Sequence, residues 1–326
     1  MKQLIVEFSK HLRDAVGICE ATSVRTNGNF KNVVITGLGG SGIGGTIAAE
    51  LLRNSAPVPI FVNKDYHLPA FVDEHTLVIA SSYSGNTEET LAALEAAMAR
   101  GAACAAITSG GRLLEIAKEK SLDHVVLPGG NPPRSMLGFS LTALLFLLGK
   151  YGIDQAGWFG KINAAAELLD NEKLSLRNEA KELARYLEGK MPVIYAVDGY
   201  EGVAVRFRQQ INENGKMLCW HAVIPEMNHN ELVGWVGALG KEAVVFLRNK
   251  DDYERNQMRI QVNKDIIGRK TSQMKDVWSR GENRLERMLY HIHLGDWCSL
   301  YLSELSGVDV MEVKVIDHLK SELGNA

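Results

Sequence analysis

The sequence predicts an α/β protein made of two doubly wound parallel-sheet domains with α-helical connections. Three observations lead there. Short apolar runs alternate with helical segments along both halves, turns rich in glycine and hydroxyl residues join strand to helix, and 326 residues exceed what one core usually holds.

Residues 1–30 place Leu4, Ile5, Phe8, Leu12 and Val16 at helical spacing and close on a polar turn at Asn27-Gly28. The strand at 33–35 runs through glycines into a helix at 43–52, and 58–62 is a second strand. The strand at 77–80 ends in Ser81-Ser-Tyr-Ser-Gly-Asn-Thr87 and opens a helix at 88–100. A strand at 103–108, a helix at 111–121 and a strand at 125–127 complete a series that implies a parallel sheet covered on both faces. Pro132-Pro133 breaks the chain before an apolar, charge-free helix at 136–149, and a polar helical stretch at 156–188 reads as the connection to a second unit. Alternation then resumes with a strand at 193–197, the turn Asp198-Gly-Tyr-Glu-Gly202 and a helix through 208–214. Strands near Val223 and at 243–247, a helix at 252–260 and a long helix at 282–305 follow. The expected division is an N-terminal domain at 1–152 and a C-terminal domain at 153–326, a weak internal duplication argued from element order.

The 36 Lys+Arg residues nearly balance 39 Asp+Glu, so the chain carries no electrostatic footprint for nucleic acid or an anionic membrane. A small-molecule task is the default. Cys19, Cys104, Cys219 and Cys298 form no CxxC pair, which speaks against a disulfide framework and a structural zinc site and for reduced thiols in the cytoplasm. Glu7, Arg13 and Asp14 interrupt the first apolar stretch, which a signal peptide would not tolerate. The run at 136–149 is shorter than the roughly 20 residues a bilayer requires and reads as a buried helix, compatible with a subunit interface.

Gly37-x-Gly39-x-x-Gly42 after a strand and before a helix also satisfies a dinucleotide fingerprint. A carboxylate should then close the second strand to hold the ribose, but Asn63 and Lys64 stand there and Asp65 comes late. The glycines by themselves say only that backbone N–H groups are exposed at a helix N-terminus, which suits any phosphate. Ser82, Ser84 and Thr87 crowd hydroxyls onto a second strand-to-helix turn, for which a dehydrogenase has no use. Each of them alone is better explained as a helix cap; both loops together, with Gly40 and Ser41, favour a phosphate monoester.

These loops resemble the sugar isomerase (SIS) domain, and the chain as a whole resembles the bifunctional phosphoglucose/phosphomannose isomerase family. The matching segments are GLGGSGIGG (37–45), SSYSGNTEET (81–90), Pro132-Pro-Arg134, Asn212-Glu-Asn-Gly-Lys216, Pro225-Glu-Met-Asn-His-Asn-Glu231, Gly295-Asp296 with Tyr301-Leu302, and Ile316-Asp-His-Leu-Lys320. The resemblance implies two SIS-type, flavodoxin-like domains and an aldose–ketose isomerase acting on glucose 6-phosphate and mannose 6-phosphate, the second substrate being matched to a segment near Val313. It also implies a homodimer with shared active sites and a place in central carbohydrate metabolism.

On that resemblance Glu213 is the proton shuttle, Arg134 a fixed positive charge beside the enediolate, and His229 and Lys320 the aids to ring opening. Read without it, Glu213 is a solvated helix residue, Arg134 a surface arginine, His229 a polar-loop residue and Lys320 a solvated terminal lysine. His291 and His293 fall on different faces of a helix and are read as structural, so neither metal nor other cofactor is expected. Two rival readings remain: a SIS-type sugar-phosphate sensor, which needs none of the four catalytic candidates, and the NAD-dependent dehydrogenase, which predicts nucleotide binding.

Overall fold

The computed structural model describes residues 1–25 and 28–324; Asn27 of the expected Asn27-Gly28 turn lies outside the described residues. The first elements are α1 (Lys2–Val6), α2 (Phe8–Glu20), β1 (Asn32–Thr36), α3 (Gly39–Leu52), β2 (Ile60–Asn63), β3 (Thr76–Ser81), α4 (Glu88–Ala99), β4 (Ala103–Thr108), α5 (Gly111–Glu119), β5 (Asp123–Val126) and α6 (Leu137–Lys150). After them come α7 (Trp158–Leu187), β6 (Met191–Val197), α8 (Glu201–Gly215), β7 (Trp220–Ile224), α9 (Glu231–Gly234), β8 (Glu242–Arg248), α10 (Glu254–Ile267), β9 (Met274–Trp278), α11 (Arg284–Ser306) and α12 (Lys314–Gly324).

The chain divides into two compact units. One holds residues 6–171 and 281–289; the other holds 1–5, 172–280 and 290–326.

In the unit of residues 6–171, five parallel strands run in the order β2-β1-β3-β4-β5. That is the doubly wound order of flavodoxin-like folds. Alternation along β1 and β3 sends Val34, Val78 and Ala80 to one face, where Ala93, Leu94 and Ala97 of α4 and Leu113, Ile116 and Ala117 of α5 cover them. On the other face α3 settles closely on β1 and β2 because Gly45 lacks a Cβ, which would stand 2.8 Å from Ile35. Helix α6 is enclosed by its own chain: every residue from Leu137 to Leu148 is buried. Cys19 and Cys104 are free thiols, and burial pushes both up to about 12.

The other unit carries a four-stranded parallel sheet in the order β7-β6-β8-β9, the same winding with one strand fewer. Strand β8 is buried along its whole length and β6 over six of its seven residues, as expected of central parallel strands. Strand β9 was not foreseen: Met274-Lys-Asp-Val-Trp278 has charges at its centre, and only Val277 is buried, because it is an edge. Helix α10 runs to Ile267, beyond the expected end at residue 260. Helices α8 and α11 approach closely at Gly295, where a Cβ would lie 2.9 Å from the Phe207 ring.

Among the described residues no helix is long and apolar enough to cross a membrane.

Candidate functional site

Strands β1 and β3 are parallel neighbours, so the turns leaving their carboxyl ends, 37–42 and 82–87, stand side by side. Glycines let the first turn fold this tightly: a Cβ on Gly42 would lie 2.3 Å from the Gly37 carbonyl oxygen. Ser41 is buried, and its Oγ accepts the Tyr83 amide across 3.1 Å, which joins the loops. A hydroxyl that accepts one bond keeps its own proton to donate.

In the second turn Ser82 Oγ lies 2.8 Å from Thr87 Oγ1 and accepts the Gly85 amide at 3.2 Å. Thr87 is the N-cap residue of α4, yet its side chain makes no capping bond. The explanation of this hydroxyl as a helix cap is thereby excluded. Ser84 is exposed, and its Oγ accepts the Asn86 amide at 3.3 Å.

Arg134 sits in a 3-10 turn, Pro133–Ser135, and is only 6% exposed, so it is not the surface arginine that the proline-rich context suggested. The turn is pressed on the first loop: a Cβ at Gly40 would stand 3.0 Å from the Pro133 carbonyl oxygen and 3.2 Å from the Arg134 nitrogen. Any larger residue at position 40 would displace it. Tyr83, which sequence reasoning passed over as one letter of a motif, holds this assembly. Its amide reaches Ser41, its carbonyl accepts Ser109, and its hydroxyl donates to the Pro128 carbonyl at 2.7 Å and accepts the Asn131 amide at 3.2 Å. Gly40, Ser41, Ser82, Ser84, Thr87 and Arg134 are thus gathered at the carboxyl edge of one sheet.

The other candidates belong to the second unit. Glu213 lies half-buried in the last turn of α8, which ends at Lys216 in the left-handed region (φ 54°). The Lys216 ammonium donates to the Glu213 carbonyl and to the Glu312 carbonyl, tying the end of α8 to the approach to α12. Buried polar bonds fix α8 against α11: Arg206 donates to both carboxylate oxygens of Asp296 at 2.9 Å, Gln210 adds a bond at 2.7 Å, and Asn214 donates to Ser299 at 2.9 Å. Burial pushes the Asp296 carboxyl up, while Arg206 and Gln210 pull it down. These partners stand some 85 to 90 residues apart, beyond the reach of any local pattern.

His229 closes the 3-10 turn Glu226–His229 after β7 and is exposed; Lys320 is exposed on α12. His291 is buried against the Arg248 carbonyl, and His293 accepts the Trp297 indole N–H, so both are packing residues. Among the described residues no group of three or more His, Cys, Asp or Glu side chains is placed to hold a metal ion.

Residues 29–127 match the family model for the SIS domain, and residues 176–323 match that for the bacterial phospho-glucose isomerase C-terminal SIS domain. A bifunctional phosphoglucose/phosphomannose isomerase from Caldicellulosiruptor bescii is 41% identical over 99% of this chain and 98% of its own. One from Aquifex aeolicus is 40% identical over 90% of this chain and 91% of its own. Among solved structures, the C-terminal domain of glucosamine-fructose-6-phosphate aminotransferase from Francisella tularensis shares the fold with a TM-score of 0.75, covering 95% of this chain and 97% of that one at 14% identity. Two SIS-type sheets, both family models in order, and identity at this level along nearly the entire length place the chain in the bifunctional phosphoglucose/phosphomannose isomerase family.

Proposed function

We propose that the protein interconverts glucose 6-phosphate, and also mannose 6-phosphate, with fructose 6-phosphate. The observation that carries this reading is the pair of joined turns, 37–42 and 82–87, whose hydroxyls and helix-end amides suit a phosphate dianion. Gly40, Ser41, Ser82, Ser84 and Thr87 hold the phosphate. Glu213 takes the proton from C1 of the open-chain ketose and returns it to C2, while the O1 proton passes to O2; C1 is oxidised, C2 is reduced, and no electron leaves the sugar. Arg134 stabilises the enediolate oxygen that carries charge between the two steps. His229 and Lys320 assist ring opening, His229 by exchanging a proton and Lys320 at the ring oxygen.

In this reading residues 1–152 bind the phosphate and residues 153–326 supply Glu213, His229 and Lys320. The enzyme works without metal or other cofactor, as a cytoplasmic homodimer with shared sites, and serves glycolysis and gluconeogenesis.

The test is incubation with fructose 6-phosphate in heavy water. Deuterium at C2 of the aldose phosphates is the expected result, and the glucose-to-mannose ratio gives the specificity. No isomerisation of either aldose phosphate in a coupled assay would overturn the reading.

A further inference from the structure

We infer that Tyr83 is the positioning residue for Arg134, acting through its phenol hydroxyl; the inference rests on the enediolate role proposed above for Arg134. The hydroxyl bonds the Pro128 carbonyl at 2.7 Å and the Asn131 amide at 3.2 Å, the two ends of the segment that leads into the arginine turn. Between those ends stand Gly129 and Gly130, the latter at φ +84°, so the segment has little stiffness of its own. Beyond Asn131 the chain is stiff: Pro132 and Pro133 fix their φ angles, and the Ser135 amide and hydroxyl both bond the Pro132 carbonyl, at 2.9 and 2.7 Å. A flexible hinge followed by a rigid arm puts the end of the arm wherever the hinge is pinned, and the Tyr83 hydroxyl is the pin.

The phenol is suited to this task because the rest of Tyr83 is already anchored. Its amide is bound to Ser41, its carbonyl accepts the Ser109 hydroxyl at 2.6 Å, and the residue is 7% exposed. The side chain is therefore held at both ends, by the loops through its backbone and by the segment 128–131 through its hydroxyl, and links the position of one to the other. Phosphate grip and enediolate charge are registered to each other by one side chain.

Tyr83→Phe removes the pin and leaves the ring and the bonds of residue 83's own amide and carbonyl. It should lower kcat roughly tenfold to a hundredfold while the KM for fructose 6-phosphate and the calorimetric Kd for inorganic phosphate stay within about threefold, because a misplaced charge costs rate more than grip. Amides of residues 128–136 should exchange hydrogen faster in the variant. Placed on an Arg134→Ala background, Tyr83→Phe should add less than about a twofold further loss, because both changes remove one function. Unchanged exchange at 128–136, a kcat within about twofold of the native value, or losses that simply multiply would overturn the assignment. If the native protein isomerises neither sugar phosphate, the functional reading fails, and the exchange comparison still decides whether the hydroxyl pins the segment. Full activity in Arg134→Ala would instead remove the arginine's role.

Discussion

Ser41 and Tyr83 are 42 positions apart in sequence, yet the buried hydroxyl of one accepts the amide of the other at 3.1 Å. The serine joins the two loops, and in the function proposed above its own proton is left for the phosphate. Ser41→Ala should cost about 1–3 kcal/mol of stability in urea titration, because a buried amide loses its acceptor, and should also raise KM. Ser84→Ala with Thr87→Ala should mainly raise KM and the phosphate Kd, with stability nearly unchanged. Equal destabilisation in both cases would contradict this division.

Glu213→Gln keeps shape and removes the base proposed above. Exchange of the C1 proton with heavy water should fall by about 10²–10⁴-fold, while inorganic phosphate binds as before. Retained exchange would remove Glu213 from the mechanism.

Arg206 and Asp296 hold α8 to α11 as a buried pair at 2.9 Å. Breaking it from one side, as in Arg206→Met, should destabilise by about 3–5 kcal/mol, since a buried carboxylate loses its cation. Replacing both partners, Arg206→Met with Asp296→Leu, should recover much of that in the same urea titration. A single variant as stable as the native protein would show that the pair contributes little.

The alternation of strand and helix was readable through both halves because central strands are continuous apolar runs, as at 77–80 and 193–197. Strand β9 was not, since Lys275 and Asp276 give an edge strand no periodicity to detect. The hydroxyls of the second loop were legible as a local motif. Tyr83 was not legible as a brace, because Ser41, Pro128 and Asn131 meet it only after the chain has folded. The same holds for Arg206 and Asp296, whose helices are separated by most of the second sheet.

His291 makes acid tolerance measurable. Complete burial holds its ring neutral and pushes its pKa down to about 4, against 6.5 for the ordinary ring. Above pH 6.5 both folded and unfolded rings are neutral and the contribution is intact. As pH falls from 6.5 to about 4 only the unfolded ring takes a proton, so stability is lost across that window, in total about 3 kcal/mol. Urea midpoints measured from pH 7 to 4 should fall more steeply for the native protein than for His291→Leu. Parallel profiles would assign the acid limb to other groups.

The two sheets share one winding, but their corresponding first turns differ in charge. After β1 the chain offers glycines and Ser41; after β6 it places Asp198 and, in the first turn of α8, Glu201. One winding used twice therefore offers an anion two edges of unlike charge, one built of glycine and hydroxyl and one carrying two carboxylates.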